Sequence, residues 1–149
     1  MPEHPQIVHF PIAILSAAVL SDLISYFWQK DFFSKMTIAL LVVGVIAAFI
    51  AVQSGETALD NLKNINSIKY LLSQHEEAGE KVLKIFGLVL FLKLILLYVK
   101  KEILLVKLML TLVMFAGLFQ IYQAGHFGGI LVFEKGAGVQ QLLETSNSP

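Results

Sequence analysis

Four long apolar runs are the feature that most constrains how this chain folds. They cover about residues 7–28, 36–53, 79–99 and 103–125, and none of them has a polar face. At 1.5 Å per residue, a helix of about 20 residues crosses the ~30 Å hydrocarbon layer of a bilayer. Because no water is present in that layer, each segment has to satisfy its backbone hydrogen bonds internally. The sequence therefore predicts an all-α integral membrane four-helix bundle, a single membrane domain over residues 1–149.

The composition argues against several other classes of protein. Hydrophobic residues make up 56% of the chain and charged residues 15%, whereas soluble domains have about 45–50% and about 25%. Eleven lysines balance eleven acidic residues, so no positive surplus is available to bind nucleic acid. The absence of cysteine excludes disulfides, thiolate metal sites and covalent c-type haem. A soluble enzyme, a disordered protein and a nucleic-acid-binding protein are all disfavoured.

The distribution of lysine predicts the topology. The two short connections are rich in lysine, which favours placing them in the cytoplasm. Both termini and the connection between spans 2 and 3 would then be periplasmic, in a multi-pass protein of the bacterial inner membrane whose first helix is retained. Apolar residues recur at helical spacing within residues 55–80, which favours a short interfacial helix over an ordered loop. Residues 140–149 form a polar tail.

The histidines of the chain converge on one end of the predicted bundle. His4 and His9 lie at the start of span 1, His75 at the start of helix 3 and His126 at the end of span 4. Because successive spans alternate in direction, these positions share one face whichever side of the membrane it occupies. Three further polar residues are expected at the same end: Gln53, Glu56 and Gln120.

The opposite end of the predicted bundle has a separate charged set. Asp22 lies about 20 Å along helix 1 from His9, and Lys93 and Lys107 lie at matching depth on helices 3 and 4. An unpaired carboxylate is costly within a membrane, so Asp22 is expected to face inward and find a partner. A structural ion pair with these lysines is the main interpretation. A proton relay and a neutral or water-bonded Asp22 are the alternatives.

Histidine is a common ligand of haem iron, zinc and copper. Two histidines on different helices of a bundle can hold a haem between them. Histidines at membrane boundaries are also often interfacial residues or helix caps, and His4 before Pro5 suits an N-cap. The residues alone leave both interpretations open.

Two terminal motifs resemble a known family. Residues 4–13, HPQIVHFPIA, are similar to the HPxxVHFPIA start of the bacterial membrane family named domain of unknown function 2231. Residues 128–139 resemble its GGxLVYxHGxGV ending, and the likeness includes Asp22 and His75. The resemblance implies a four-helix integral membrane protein related to small b-type cytochromes and found near c-type cytochrome modules. Lys135 replaces the family's late histidine, and His126 has no counterpart, so the resemblance extends to His4, His9 and His75.

Together these observations favour a membrane haem b-binding protein, an electron-transfer subunit rather than a stand-alone enzyme. His9 and His75 would be the axial ligands. His4 would support them or act as an alternative ligand, and His126 is the last of the four candidate ligands. Gln53, Gln120 or Glu56 would bond to the propionates or to the ligand nitrogens. Electrons would pass between a membrane quinol and a periplasmic acceptor such as a c-type cytochrome.

Two alternatives use the same residues differently. In the first, His9 and His75 bind zinc or copper together with His4 and Glu56. In the second, the chain is a cofactor-free accessory or assembly subunit whose histidines cap and pack. The expected partners are membrane lipid and either further copies of the chain or a larger membrane complex, without nucleic acid.

Overall fold

The computed structural model describes residues 4–59, 68–100 and 103–134, and the side chains within 7–55, 68–100 and 103–134. These residues form four α-helices and one terminal π-helix: α1 His4–Ile24, α2 Lys30–Leu59, α3 Lys69–Val99, α4 Leu104–Gly129 and α5 Ile130–Glu134. All four α-helices are long and apolar enough to cross a membrane, and the described residues contain no strand. The prediction of an all-α membrane bundle is confirmed.

The helices pack as an up-down-up-down bundle. The most extensive contacts join α1 to α2 and α3 to α4, followed by α2 to α3, and a smaller interface joins α1 to α4. The helices therefore lie around a square in chain order, with α1 and α3 diagonally opposite. Short connections produce this arrangement because they force neighbouring helices to be antiparallel.

Each short connection contains a residue in the left-handed region. Gln29, just before α2, has φ 40°, and Lys100, just after α3, has φ 53°. The N–H of Lys100 bonds to the carbonyl oxygen of Leu97 at 3.3 Å, which closes the last turn of α3. Lys100 thus ends α3 with the left-handed residue that commonly terminates a helix.

The apolar core is closed by side chains from all four helices. Leu15, Leu41, Phe86 and Met114 are completely buried. Two of the helix contacts depend on glycine. A Cβ atom on Gly44 would lie 2.5 Å from Leu15 Cδ2, and one on Gly117 would lie 2.6 Å from the Phe86 ring. These two positions allow the backbones of neighbouring helices to approach closely.

The outward faces of the helices are also apolar, which is the arrangement that lipid requires. Large hydrophobic side chains are exposed along every helix, among them Leu20, Phe49, Phe91, Leu112 and Phe119. Between its two polar ends, the described bundle therefore has an apolar surface that suits contact with lipid chains.

The second and third helices are longer than the apolar runs that predicted them. α3 has 31 residues, a length of about 46 Å, so it extends beyond the ~30 Å hydrocarbon layer. Within the 55–80 connection, where a short interfacial helix was expected, residues 55–59 continue α2 and residues 69–80 continue α3. Apolar spacing locates the buried face of a helix but does not show where the chain turns. Residues 60–67 and the tail 140–149 lie outside the described residues.

A small second core forms where α3 begins. Ile68 and Leu72 pack against Leu131 of α5, apart from the main core. These contacts hold the start of α3 against α5, the segment that follows α4, at the end of the bundle that carries His75.

Candidate functional site

The polar side chains of the described bundle gather at two ends. We call the level of Asp22, Lys93 and Thr111 the Asp22 end, and the level of His9, His75 and His126 the histidine end. Along their own helices, the three histidines lie about 20–27 Å from the Asp22 level. The predicted separation of the two polar sets is therefore present in the structure.

The carboxylate of Asp22 is completely buried and held by two other helices. Lys93 Nζ on α3 lies 2.7 Å from Oδ1, and the Lys93 side chain is only 10% exposed. Thr111 Oγ1 on α4 donates to Oδ2 at 2.6 Å. The Asp22 side chain thus links α1 to both α3 and α4 through charge-assisted hydrogen bonds, which are stronger than bonds between neutral groups.

Tyr26 extends this network toward the end of the bundle. Its hydroxyl lies 2.7 Å from Thr111 Oγ1. Because the Thr111 proton is drawn to the nearby carboxylate, the Tyr26 hydroxyl is the donor in this pair. Burial raises the pKa of the Tyr26 hydroxyl, and the nearby negative charge of Asp22 adds to that rise. Lys107 Nζ lies 4.5 Å from the centroid of the Tyr26 ring, a cation–π contact.

Hydroxyl groups connect α2 to the same end. Thr37, on α2, donates to the carbonyl oxygen of Phe33 at 2.8 Å and approaches Ser21 Oγ at 3.1 Å. Ser21, on α1, donates in turn to the Phe33 carbonyl at 3.0 Å. Every buried side-chain nitrogen and oxygen among the described residues has a hydrogen-bond partner. A network so fully satisfied can hold the four helices in one register.

His75 is held against α4 by a hydrogen bond. Its ring is half-buried, and Nδ1 lies 2.9 Å from the carbonyl oxygen of Ala124 on α4. Because a carbonyl only accepts hydrogen bonds, Nδ1 carries the proton in this contact. A Cβ atom on Gly128 would come within 3.1 Å of the ring, so glycine at this position gives the imidazole its room.

The other candidates at the histidine end are exposed, half-buried or outside the described side chains. His9 and His126 are exposed, and the His126 ring stacks on Tyr122 with the planes 12° apart. Gln53 is exposed and Gln120 is half-buried. The side chains of His4 and Glu56 lie outside the described residues. Within the part of the chain that the structure describes, no three His, Asp or Glu side chains group in a way that suits a metal ion.

The sequence interpretation overlooked the hydroxyl groups at the Asp22 end. Tyr26, Thr37 and Thr111 all belong to the network, yet only Asp22 and the lysines were expected there. A signal was available, because Ser21, Thr37 and Thr111 interrupt apolar runs at about the depth of Asp22. Hydroxyl groups within membrane helices were therefore as informative as the charged residues.

Comparison with known proteins identifies the family. Residues 1–141 match the family described as "Predicted membrane protein (DUF2231)". The chain belongs to this family. Membership in the DUF2231 family confirms the resemblance that the sequence predicted. It also agrees with the four helices, which are long and apolar enough to cross a membrane. No curated protein and no solved structure shows significant similarity to the DUF2231 chain.

Proposed function

We propose that this protein binds haem b at the histidine end and acts as a membrane electron-transfer subunit. His75 is the first axial ligand in this proposal. The observation that carries it is the hydrogen bond between His75 Nδ1 and the carbonyl oxygen of Ala124. Histidines that bind metals almost always donate the other ring N–H to such an acceptor, which fixes both the tautomer and the ring orientation.

The surroundings of His75 suit a planar group. With the proton on Nδ1, the nitrogen that carries a lone pair is Nε2, the atom that binds haem iron. Gly128 keeps the backbone of α4 close to the ring without a side chain between them. The site also lies near the membrane surface, because α3 extends past the hydrocarbon at this end.

His9 is the proposed second ligand. It lies on α1, diagonally across the bundle from α3, and its side chain is exposed. The structure thus supports the two ligands unequally, since His75 is fixed by a hydrogen bond to α4 whereas His9 lies on the bundle surface. Gln120, half-buried at this end, and Gln53 are the proposed hydrogen-bond donors to propionates.

Bound haem b would supply a reversible one-electron change at iron. The chain's own part is to hold the imidazole rings and to keep the site at one membrane surface. That location suits exchange of electrons between a quinol in the bilayer and a soluble acceptor, for example a periplasmic c-type cytochrome. The inner membrane of a bacterium, with the histidine end facing the periplasm, belongs to the same proposal.

A cofactor-free accessory subunit is the second candidate, and the exposure of His9 is the observation that favours it. In this case the His75–Ala124 bond only ties α3 to α4, and His126 is an interfacial residue stacked on Tyr122. The two candidates differ in one property that is simple to measure, namely whether the purified protein carries haem.

The decisive experiment is a visible spectrum of the full-length protein, purified in detergent from haem-supplemented cells. A Soret band that shifts on reduction with dithionite, together with a sharp α band, is expected for two histidine ligands. His9→Ala should convert this low-spin spectrum to a high-spin one, and His75→Ala should remove haem. A colourless protein after supplementation would contradict the haem proposal and favour the accessory subunit.

Two further variants separate ligation from packing. His126→Ala is the matched control, because it removes an exposed histidine at the same end and should leave the spectrum unchanged. His75→Gln retains a polar side chain of comparable reach but offers no imidazole nitrogen to iron. If His75→Gln folded and still held haem with the wild-type spectrum, His75 would not be a ligand. Elemental analysis of the same samples tests for bound zinc or copper.

A further inference from the structure

The Asp22 end carries a surface that the electron-transfer proposal does not use. Around the short connections, aromatic side chains lie exposed where the helices end. Phe27 is 88% exposed, Trp28 65% and Tyr98 88%. Tryptophan and tyrosine are enriched at the membrane–water interface, because the ring enters the apolar zone while its polar atom meets the headgroups. The exposed aromatic residues therefore mark the headgroup level.

Lysines lie at the same level. Lys30, Lys35 and Lys100 are all exposed, two of them at the first turns of α2 and one just after α3. Among the described residues, the exposed acidic side chain of this surface is Asp31. Lys93 and Asp22 neutralise each other inside the bundle and do not contribute to the surface charge.

The two ends differ in net charge. The described part of the Asp22 end has five lysines against two aspartates, a net charge of +3. The described side chains of the histidine end include three lysines and four glutamates, a net charge of −1. Two of those lysines, Lys81 and Lys84, are also paired with glutamates one turn away. Among the described side chains, the net positive charge therefore lies at the Asp22 end.

We infer that the Asp22 end binds anionic phospholipid headgroups. Lys30, Lys35 and Lys100 contact the lipid phosphates, and Phe27, Trp28 and Tyr98 hold the adjoining helix ends at that depth. The partner is an acidic lipid of the surrounding leaflet, because the aromatic residues place the ammonium groups among headgroups rather than in bulk water. Each lysine near a membrane surface strengthens binding to an anionic bilayer by roughly fivefold.

Trp28 provides the probe, because it is the single tryptophan of the chain and lies within the surface. The full chain is reconstituted in phosphatidylcholine vesicles that contain an equal small fraction of acyl-brominated phosphatidylglycerol or acyl-brominated phosphatidylcholine. Bromine quenches tryptophan only at contact, so the quenching reports which lipid adjoins Trp28. Brominated phosphatidylglycerol is expected to quench several-fold more, and this preference should decrease as salt is added.

The variant K30Q/K35Q/K100Q should abolish the preference. The matched control K69Q/K81Q/K84Q removes the same charge at the histidine end and should retain it, because the ion pairs it breaks are exposed and contribute little to stability. Equal quenching by both lipids in the wild-type protein would overturn the inference, and so would an equal loss in the control. The salt dependence of quenching in the wild-type protein tests the inference even if the triple variant fails to fold. Loss of the preference with inorganic phosphate at constant ionic strength would indicate a free-anion site instead.

Discussion

Lys93 Nζ lies 2.7 Å from Asp22 Oδ1, so an ion pair joins the two helices that are diagonally opposite in the bundle. α1 and α3 share little other surface, because α2 and α4 lie between them. The ion pair therefore connects α1 to α3 across the bundle, and Thr111 on α4 donates a hydrogen bond to the same carboxylate. Its position fixes the depth of three helices relative to one another.

Removing one member of this pair should be more harmful than removing both. Asp22→Asn or Lys93→Met alone leaves a buried charge without its partner, at a cost of about 3–5 kcal/mol. The double variant leaves no unpaired charge and should recover much of that loss. Thermal unfolding in detergent, followed by circular dichroism, measures all three proteins. Additive effects of the two substitutions would show that the side chains do not interact.

Thr111→Val tests the hydroxyl link separately. The change preserves shape but removes the donor to Asp22 Oδ2 and the acceptor for Tyr26, an expected loss of about 1–3 kcal/mol. Thr111→Ser retains the hydroxyl and serves as the control, because it loses only a methyl group. If the two variants unfolded at the same temperature, the hydrogen bonds of the Thr111 hydroxyl would contribute no more to stability than its methyl group does.

Glycine at the α3–α4 contact should be far less replaceable than glycine on the open side of α3. Gly117→Ala places a Cβ atom 2.6 Å from the completely buried Phe86 ring, and such overpacking costs about 1–3 kcal/mol. Gly87→Ala meets nothing within 4 Å and should gain up to about 1 kcal/mol from helix propensity. Opposite shifts in the unfolding temperature are expected. Shifts of the same sign would show that the close α3–α4 approach is not maintained.

The sequence was sufficient to predict the helices and the two polar ends. Long apolar runs leave no alternative to membrane helices, and helix direction alone brings the histidines to one end. Asp22 and Lys93 were expected at matching depth for the same reason. These features depend only on position along a helix of known rise, which the chain itself specifies.

The detailed partners could not be predicted, because they depend on how each helix is rotated about its axis. In helices that are apolar all round, the sequence gives little information on which side faces a neighbour. Thus Lys107 was expected near Asp22, whereas the structure shows its ammonium group over the Tyr26 ring. The bond from His75 to Ala124 was equally inaccessible, since a backbone carbonyl has no sequence signature.

Tyr26 should ionise at a higher pH than an ordinary tyrosine, whose pKa is about 10. Burial raises the pKa of its hydroxyl, so the folded state favours the neutral phenol. The stability that Tyr26 contributes is therefore complete below the unfolded-state pKa and is lost as the pH rises through the folded-state pKa. Subtracting the alkaline absorbance titration of Tyr26→Phe from that of the wild type isolates this single group. A midpoint at or below the ordinary value would contradict the burial seen in the structure.

Gly128→Ala should disturb His75 without touching the rest of the bundle. The new Cβ atom would lie 3.1 Å from His75 Cε1 and 3.2 Å from Nδ1, which is too close for the ring to stay in place. The imidazole has to move, and its 2.9 Å bond to the Ala124 carbonyl lengthens. Gly129→Ala is the matched control, because its Cβ meets nothing within 4 Å. Nitrogen NMR of the histidine rings should show a changed Nδ1–H signal only in Gly128→Ala, since weakening that hydrogen bond alters the shielding of both atoms. Identical spectra for the two variants would mean that the ring of His75 does not lie against α4, and the ligand role proposed for His75 would lose the bond that supports it.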